Sequence, residues 1–92
     1  MAMVSRYQLG EVVFSKAGRD FDNAYLVVDI ENKDYIKVAD GDKKKIERPK
    51  RKNKKHLRKT GDVFGELSIW LSEGKRVRNE DIKKFLKDYQ KK

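Results

Sequence analysis

The sequence predicts a mainly β domain, a small closed or nearly closed barrel, followed by a C-terminal α-helix. Short runs rich in β-branched and aromatic residues fill the first half of the chain, and tight-turn residues separate them. An apolar stripe with helical spacing marks the end of the chain. At 92 residues, one domain with a small core is expected.

Three strands are predicted before the most basic part of the chain. They are EVVFSKAG, AYLVVDIEN and YIKVAD, at residues 11–18, 24–32 and 35–40. Between them, GRDFDNA and ENKD supply the Gly, Asp and Asn residues that favour tight turns. Because side chains alternate along a strand, Tyr25 and Val27 are expected on one face of the second strand, with Leu26 and Val28 on the other.

A fourth strand is predicted at KKKIERP, residues 43–49. The preceding DGD, residues 40–42, is a hairpin signal, and Pro49, the only proline, would end the strand. The later apolar run DVFGELSIWLSEG, residues 62–74, is too short and too mixed for its periodicity to separate strand from helix.

The final helix is predicted over about 79–91. Asn79 is expected to be the N-cap, and Glu80 and Asp81 place acidic side chains in the first turn, where the helix dipole favours them. We expect this helix to pack on the barrel or on residues 63–71. Its apolar stripe consists of Ile82, Phe85, Leu86 and Tyr89.

The basic segment, residues 43–59, carries the chain's net charge. Eleven of its seventeen residues are Lys or Arg and only Glu47 opposes them, so it carries +10, whereas the whole chain carries +9. The basicity is therefore local, as if one charged insertion had been added to an ordinary small domain. Ile46 and Leu57 are spaced so that they would anchor both ends of the segment to a core, which a free, solvated tail would not need.

Several classes of function find no support in the residues. The chain has no cysteine, and His56 is its only histidine, so neither a disulfide nor a metal site is expected. Asp20 and Asp22, like Asp40 and Asp42, fall in predicted turns, where Asp is favoured for backbone reasons. We expect a cytoplasmic protein, monomeric when free, that is not an enzyme and has no cofactor, small-molecule substrate or membrane contact.

Residues 9–57 resemble the KOW domains, and are most similar to bacterial KOW proteins related to ribosomal protein L-fourteen-e. The matching pieces are GEVVFSKAGRD, YLVVDI, YIKVADGDKKKIERPK and KHL. The resemblance implies an SH3-like barrel over residues 1–60, including the basic segment, with residues 61–92 as a C-terminal extension. It also implies RNA binding, most often on the ribosome. The sequence departs from the family where Asp22 and Asn23 replace a glycine usual beyond Gly18.

We therefore expect an RNA-binding protein whose partner is ribosomal RNA of the large subunit. Cations that neutralise phosphates release counterions, which drives binding. Lys16 and Arg19 flank the Gly18 turn and would join the basic segment on one surface. The expected RNA-binding residues are Lys16, Arg19, Lys43, Lys44, Lys45, Arg48, Lys50, Arg51, Lys52, Lys54, Lys55, His56, Arg58 and Lys59.

Phosphate and shape recognition are expected to outweigh base readout, because no paired aromatic RNA-recognition signature is present. Phe21, Tyr25 and Tyr35 are the candidate stacking side chains, whereas Phe14, Phe64, Trp70, Phe85 and Tyr89 are expected in the core. The same charge also suits an alternative, a protein-interaction module or a transcription-elongation-linked KOW barrel that binds an acidic partner.

Overall fold

The structure of the chain, a computed structural model, describes residues 7–16 and 23–90. Within these residues it has five strands and two helices. The mainly β class and the C-terminal helix are thus confirmed. The elements are β1 (Glu11–Ser15), β2 (Ala24–Ile30), β3 (Tyr35–Ala39), β4 (Lys50–Asn53), a 3₁₀ turn (Lys54–His56), β5 (Leu57–Val63), α1 (Gly65–Ser72) and α2 (Asn79–Gln90).

The strands form one antiparallel sheet in the order β4-β3-β2-β1-β5, so β4 and β5 are its two edges. In a flat sheet these edges would lie about 19 Å apart. The three-residue turn that joins them spans at most about 14 Å from Asn53 to Leu57. The sheet must therefore curl until its edges approach. No ladder joins β4 to β5 among the described residues, so the sheet remains open.

Both faces of the sheet are buried, and the residues of β2 are divided between them as the alternation predicts. Tyr25 and Val27 belong to a strand cluster, whose members all come from strands: Val13, Tyr25, Val27, Ile36, Val38 and Leu57. Leu26 belongs to a helix cluster, with Val28 packed against it. The helix cluster joins the opposite face of the sheet to α1, α2 and the segment between them through Val12, Ala24, Leu26, Ala39, Leu67, Val77, Ile82 and Leu86.

The ambiguous apolar run forms a helix, α1, over Gly65–Ser72. The residue before the helix is held to the residue before β1, because the backbone N–H of Phe64 donates to the carbonyl of Gly10 at 2.9 Å. Leu67 is fully buried, whereas Ile69 is 55% exposed. The helix thus has apolar residues on both its buried and its solvent sides, which explains why periodicity did not identify it.

The α2 prediction is confirmed in extent and in its buried stripe. Ile82 and Leu86 are buried in the helix cluster, and Phe85 and Tyr89 pack against it. The Tyr89 hydroxyl donates to Asp62 in β5 at 2.6 Å. This hydrogen bond raises the pKa of Tyr89, and burial adds to the shift.

Among the described residues, no helix is long and apolar enough to cross a membrane.

The predicted N-cap is wrong by one residue. The carbonyl of Arg78 accepts the first helical N–H, that of Ile82, at 3.3 Å, so Arg78 holds the cap position. Asn79 instead bonds the basic segment. Its side-chain oxygen accepts from the N–H of Ile46 at 2.8 Å, and its amide donates to Glu47 at 2.9 Å. This amide therefore fastens the connection between β3 and β4 to the start of α2.

The predicted strand at 43–49 is wrong, because this stretch forms turns and the strand begins only after Pro49. Asp40 closes the first turn, since its carboxylate accepts the N–H groups of Asp42 at 2.9 Å and Lys44 at 2.8 Å. The true strand, β4, reads KRKN and carries no apolar residue. Such a strand is viable at a sheet edge, where charged side chains also discourage pairing with other chains.

The basic segment is therefore not an insertion but a structural part of the sheet. It supplies β4, the 3₁₀ turn and the beginning of β5, and β5 continues past residue 60 to Val63. The two predicted anchors are confirmed: Ile46 packs against the helix cluster, and Leu57 is buried in the strand cluster. The charged segment thus contributes to both clusters.

Gly41 and Gly61 provide a matched test of the packing between the β3–β4 connection and α2. Both have positive φ, +80° and +81°. A Cβ at Gly41 would collide with the carbonyl oxygen of Asn79, whereas one at Gly61 would meet no atom within 4 Å. We expect Gly61→Ala to lower the free energy of unfolding by about 1 kcal/mol, and Gly41→Ala by a further 1–3 kcal/mol, roughly. Urea denaturation measures both, and equal losses would contradict this packing.

Candidate nucleic-acid interface

The structure divides the predicted site residues into two groups. The basic edge lies on β4, the 3₁₀ turn and the start of β5: Lys50, Arg51, Lys52, Lys54, Lys55, His56, Arg58 and Lys59. The basic loop lies on the β3–β4 connection, beside α2: Lys43, Lys44, Lys45 and Arg48. Lys16 joins the basic edge, because its N–H donates to the carbonyl of His56 at 2.8 Å. Arg19 lies outside the described residues.

Cations occupy both faces of the β4 edge. Lys50 and Lys52 pair with Val38 and Ile36 of β3 and therefore share the face of the strand cluster. Arg51 pairs with Lys37 on the opposite face. Strand alternation thus spreads the positive charge around the edge of the sheet. Lys37 adds a cation that lies outside the basic segment and was not predicted as part of the site.

Lys59 is bound to a buried carboxylate. Its ammonium lies 2.5 Å from Glu11, whose side chain is completely buried. The same carboxylate accepts the N–H groups of Gln8 at 3.0 Å and Gly61 at 3.2 Å. Because a buried charge needs such partners, the ammonium of Lys59 stabilises the fold where β1 pairs with β5. Lys59 was predicted to contact RNA, but its charge is already neutralised by Glu11 within the protein.

Tyr7 lies beneath two of the lysines. The ammonium groups of Lys54 and Lys59 stand 5.4 and 5.3 Å from the centre of its ring, within the range of cation–π attraction. The ring packs against the strand cluster. Burial, and secondarily the negative charge of Glu11, raises the pKa of the Tyr7 phenol. Tyr7 thus stabilises the ammonium groups of Lys54 and Lys59 where the curled edges approach. The sequence did not predict this role.

Two arginines also lie over aromatic rings. The Arg51 guanidinium is 3.7 Å from the centre of the Tyr35 ring, and its Nε donates to the two carboxylate oxygens of Glu31 at 2.9 and 3.1 Å. Arg58 lies 4.6 Å from the centre of the Phe14 ring. These arrangements orient the guanidinium planes before any partner binds.

The three side chains predicted to stack on bases lie in different environments. Tyr25 is only 2% exposed, so the prediction that it stacks a base is wrong. It was misassigned because both faces of β2 are buried, which alternation alone does not reveal. Tyr35 is half-buried and covered by Arg51, and Phe21 lies outside the described residues. Phe14, Phe64, Trp70, Phe85 and Tyr89 pack against the helix cluster, as predicted.

Other cations of the segment remain available to a partner. Arg48, Lys50 and Lys55 are exposed, and none forms an ion pair with another described residue. Beside the basic loop, an open groove of about 440 Å³ has charges of both signs, because Asp40 and Asp42 line it together with Lys43, Lys83 and Lys87. The groove is therefore of mixed charge, whereas the residues of the basic edge are all basic.

The described residues contain no group of three or more His, Cys, Asp or Glu side chains that could hold a metal ion. His56 is exposed. Its backbone carbonyl accepts the N–H of Lys16. The basic edge is thus a surface of cations and aromatic rings, suited to binding a polyanion.

Comparison with known proteins does not extend the assignment. No protein-family model matches the chain. No curated protein is significantly similar to it. The resemblance of residues 9–57 to KOW proteins therefore rests on the residues quoted above, and the function that it implies is a proposal.

Replacement of Lys59 tests its structural role. We expect Lys59→Met to lower the free energy of unfolding by about 3 kcal/mol, because it leaves the buried Glu11 carboxylate without its cation. The exposed Lys55→Met is the matched control and should change stability by less than about 0.5 kcal/mol. Adding Glu11→Gln to Lys59→Met should restore part of the loss. Equal stability of the two single variants in urea denaturation would argue against a buried ion pair.

The raised pKa of Tyr7 predicts a loss of stability in base. Above the ordinary tyrosine value of 10.0, the unfolded chain releases the Tyr7 proton before the folded protein does. Alkali therefore favours unfolding, and this contribution is absent below that pH. Tyr7→Phe keeps the ring but removes the proton, so its unfolding free energy should fall less steeply between about pH 9.5 and 11 than that of the wild type. Parallel pH profiles of the two proteins would exclude this effect.

Proposed function

We propose that the protein is an SH3-like, KOW-type module that binds RNA through its basic edge, and that its partner is ribosomal RNA of the large subunit. The observation that carries the proposal is the concentration of cations on one edge of the sheet, where Lys50 and Lys55 are exposed and form no ion pair with another described residue. A polyanion is the partner that such an edge attracts most strongly.

Three features support the SH3-like assignment. The fifth strand returns to pair with the first, a 3₁₀ turn joins the fourth strand to the fifth, and that short turn forces the sheet to curl. In SH3-like barrels, strands are connected in this way. The KOW resemblance adds the expectation of RNA on the same scaffold, and the charge of the basic segment agrees with it.

Not every cation of the basic segment is equally suited to a phosphate. Lys59 already neutralises Glu11, and Arg51 already binds Glu31. Arg48, Lys50 and Lys55 have no such internal partner among the described residues, and binding them to phosphates would release counterions without breaking an ion pair. These three residues are the best candidates for direct phosphate contacts.

A charge-reversal pair tests this assignment. Lys50→Glu/Lys55→Glu should weaken binding to purified large ribosomal subunits by at least about tenfold, because it replaces two phosphate contacts by repulsion. Lys75→Glu/Lys84→Glu changes the net charge equally, outside the basic segment, and should lose less than about threefold. Both binding constants are measured by cosedimentation at low and at raised salt, together with circular dichroism to verify folding.

The outcomes separate the possible partners. Wild-type protein that sediments with large subunits at low salt, and dissociates as salt rises, supports the proposal. Protein that binds no ribosomal subunit but copurifies with nuclease-sensitive RNA rejects the ribosomal part. Equal losses in the two charge-reversal variants would show that net charge rather than the basic edge determines binding. A partner that survives nuclease treatment would be an acidic protein, which overturns RNA binding.

A further inference from the structure

Arg51 is held in one orientation at the edge of the sheet. It lies opposite Lys37 in the β3–β4 ladder, so Tyr35, two residues from Lys37, is its diagonal neighbour on the same face. The guanidinium lies 3.7 Å from the centre of the Tyr35 ring. Glu31, which follows β2, fixes the Nε edge through contacts of 2.9 and 3.1 Å. Two separate interactions thus restrain the long side chain.

A large part of the Arg51 side chain is open to solvent. The Arg51 side chain remains 52% exposed even though Tyr35 covers one face and Glu31 engages the Nε edge. A guanidinium is planar and weakly hydrated, and it stacks on aromatic rings from either side. The exposed face therefore presents a flat cationic surface, backed by the Tyr35 ring, with dimensions that suit another planar group.

The neighbouring charges favour a base rather than a phosphate at this position. Because Glu31 offsets the charge of Arg51, a phosphate there gains less than it would at an unpaired cation. The planar face is unaffected by this pairing. The restraint also lowers the conformational entropy that Arg51 loses on binding. Arg48 lacks this advantage, because its side chain has no ion-pair partner among the described residues.

We propose that Arg51, stacked on Tyr35 and fixed by Glu31, is a platform on which an unpaired nucleobase of the bound RNA stacks. This inference rests on the proposed RNA-binding function and narrows its ligand to RNA with a splayed base in a loop, a bulge or a single strand. Bases within a helix are already stacked on both sides and cannot occupy the platform. Lys37, directly opposite Arg51 on the same face, is placed to contact the phosphate of that nucleotide.

The test compares two fluorescent single-stranded probes of equal charge, a ten-nucleotide oligoadenylate and an abasic ribose-phosphate of the same length. Base stacking is worth about 1–3 kcal/mol per base. The wild type should therefore bind the oligoadenylate about tenfold more tightly in fluorescence anisotropy at low salt. Arg51→Lys retains the charge but loses the planar face. It should reduce this ratio to about one or two, with the affinity for the abasic probe unchanged.

Two further variants make the test specific. Arg48→Lys makes the same chemical change at an exposed arginine that lacks the platform, and it should keep the tenfold ratio, roughly. Glu31→Gln removes the carboxylate charge while keeping a side chain of similar shape. It should raise the affinity for the abasic probe, because the net positive charge of the edge increases. It should also lower the preference for the oligoadenylate, because Arg51 loses one of its two restraints.

The remaining outcomes distinguish the inference from the function on which it rests. If neither probe binds, the platform is rejected, and cosedimentation with large ribosomal subunits decides the proposed function separately. If the wild type binds both probes equally, or if Arg51→Lys keeps the preference for bases, the platform is rejected while RNA binding stands. An equal loss of both probes in Arg51→Lys would make Arg51 a phosphate contact, which also rejects the platform.

Discussion

The structure depends on one geometric constraint, the three-residue turn between β4 and β5. These strands are opposite edges of the sheet, so a turn this short requires the sheet to curl. Curling gives the strand cluster its enclosed face, where Leu57 is buried with residues from β1, β2 and β3. It also brings Lys54, the first residue of the 3₁₀ turn, and Lys59, in β5, over the same Tyr7 ring. The curvature of the sheet thus encloses the strand cluster and also arranges the cations of the basic edge.

The concentration of positive charge is tolerable because the protein uses its cations in different ways. Lys59 neutralises a buried carboxylate, and Arg51 combines an ion pair with an aromatic contact. Others are exposed to solvent, such as Lys50 on the edge strand β4 and Lys55 on the 3₁₀ turn that follows it. Solvent screens their mutual repulsion, and the charge discourages edge-to-edge association. The folded protein therefore presents positive charge at which a polyanion could bind. The proposed RNA-binding function rests on this charge.

Sequence-based prediction succeeded at the two anchors of the basic segment, where local composition controls the outcome. Ile46 and Leu57 anchor the segment because they are its only aliphatic side chains. It failed for Tyr25, whose burial depends on curvature and not on its own sequence neighbourhood. Neither the pairing of Lys59 with Glu11 nor that of Arg51 with Glu31 was foreseen. Each joins residues at least 20 positions apart, and charge counting carries no information about such pairs.

By itself, the sequence determined the mainly β class, the faces of β2, the stripe of α2 and the location of the charge. These follow from side-chain periodicity and composition, which act over a few residues. Only the tertiary structure decided that KRKN is a strand, that the run after Val63 is a helix and that Asn79 bonds a distant loop. An edge strand without apolar residues gains its stability from hydrogen bonds to β3, and an evenly apolar helix from the neighbours it packs against. In both cases the deciding interactions are with residues distant in the chain, which local patterns do not encode.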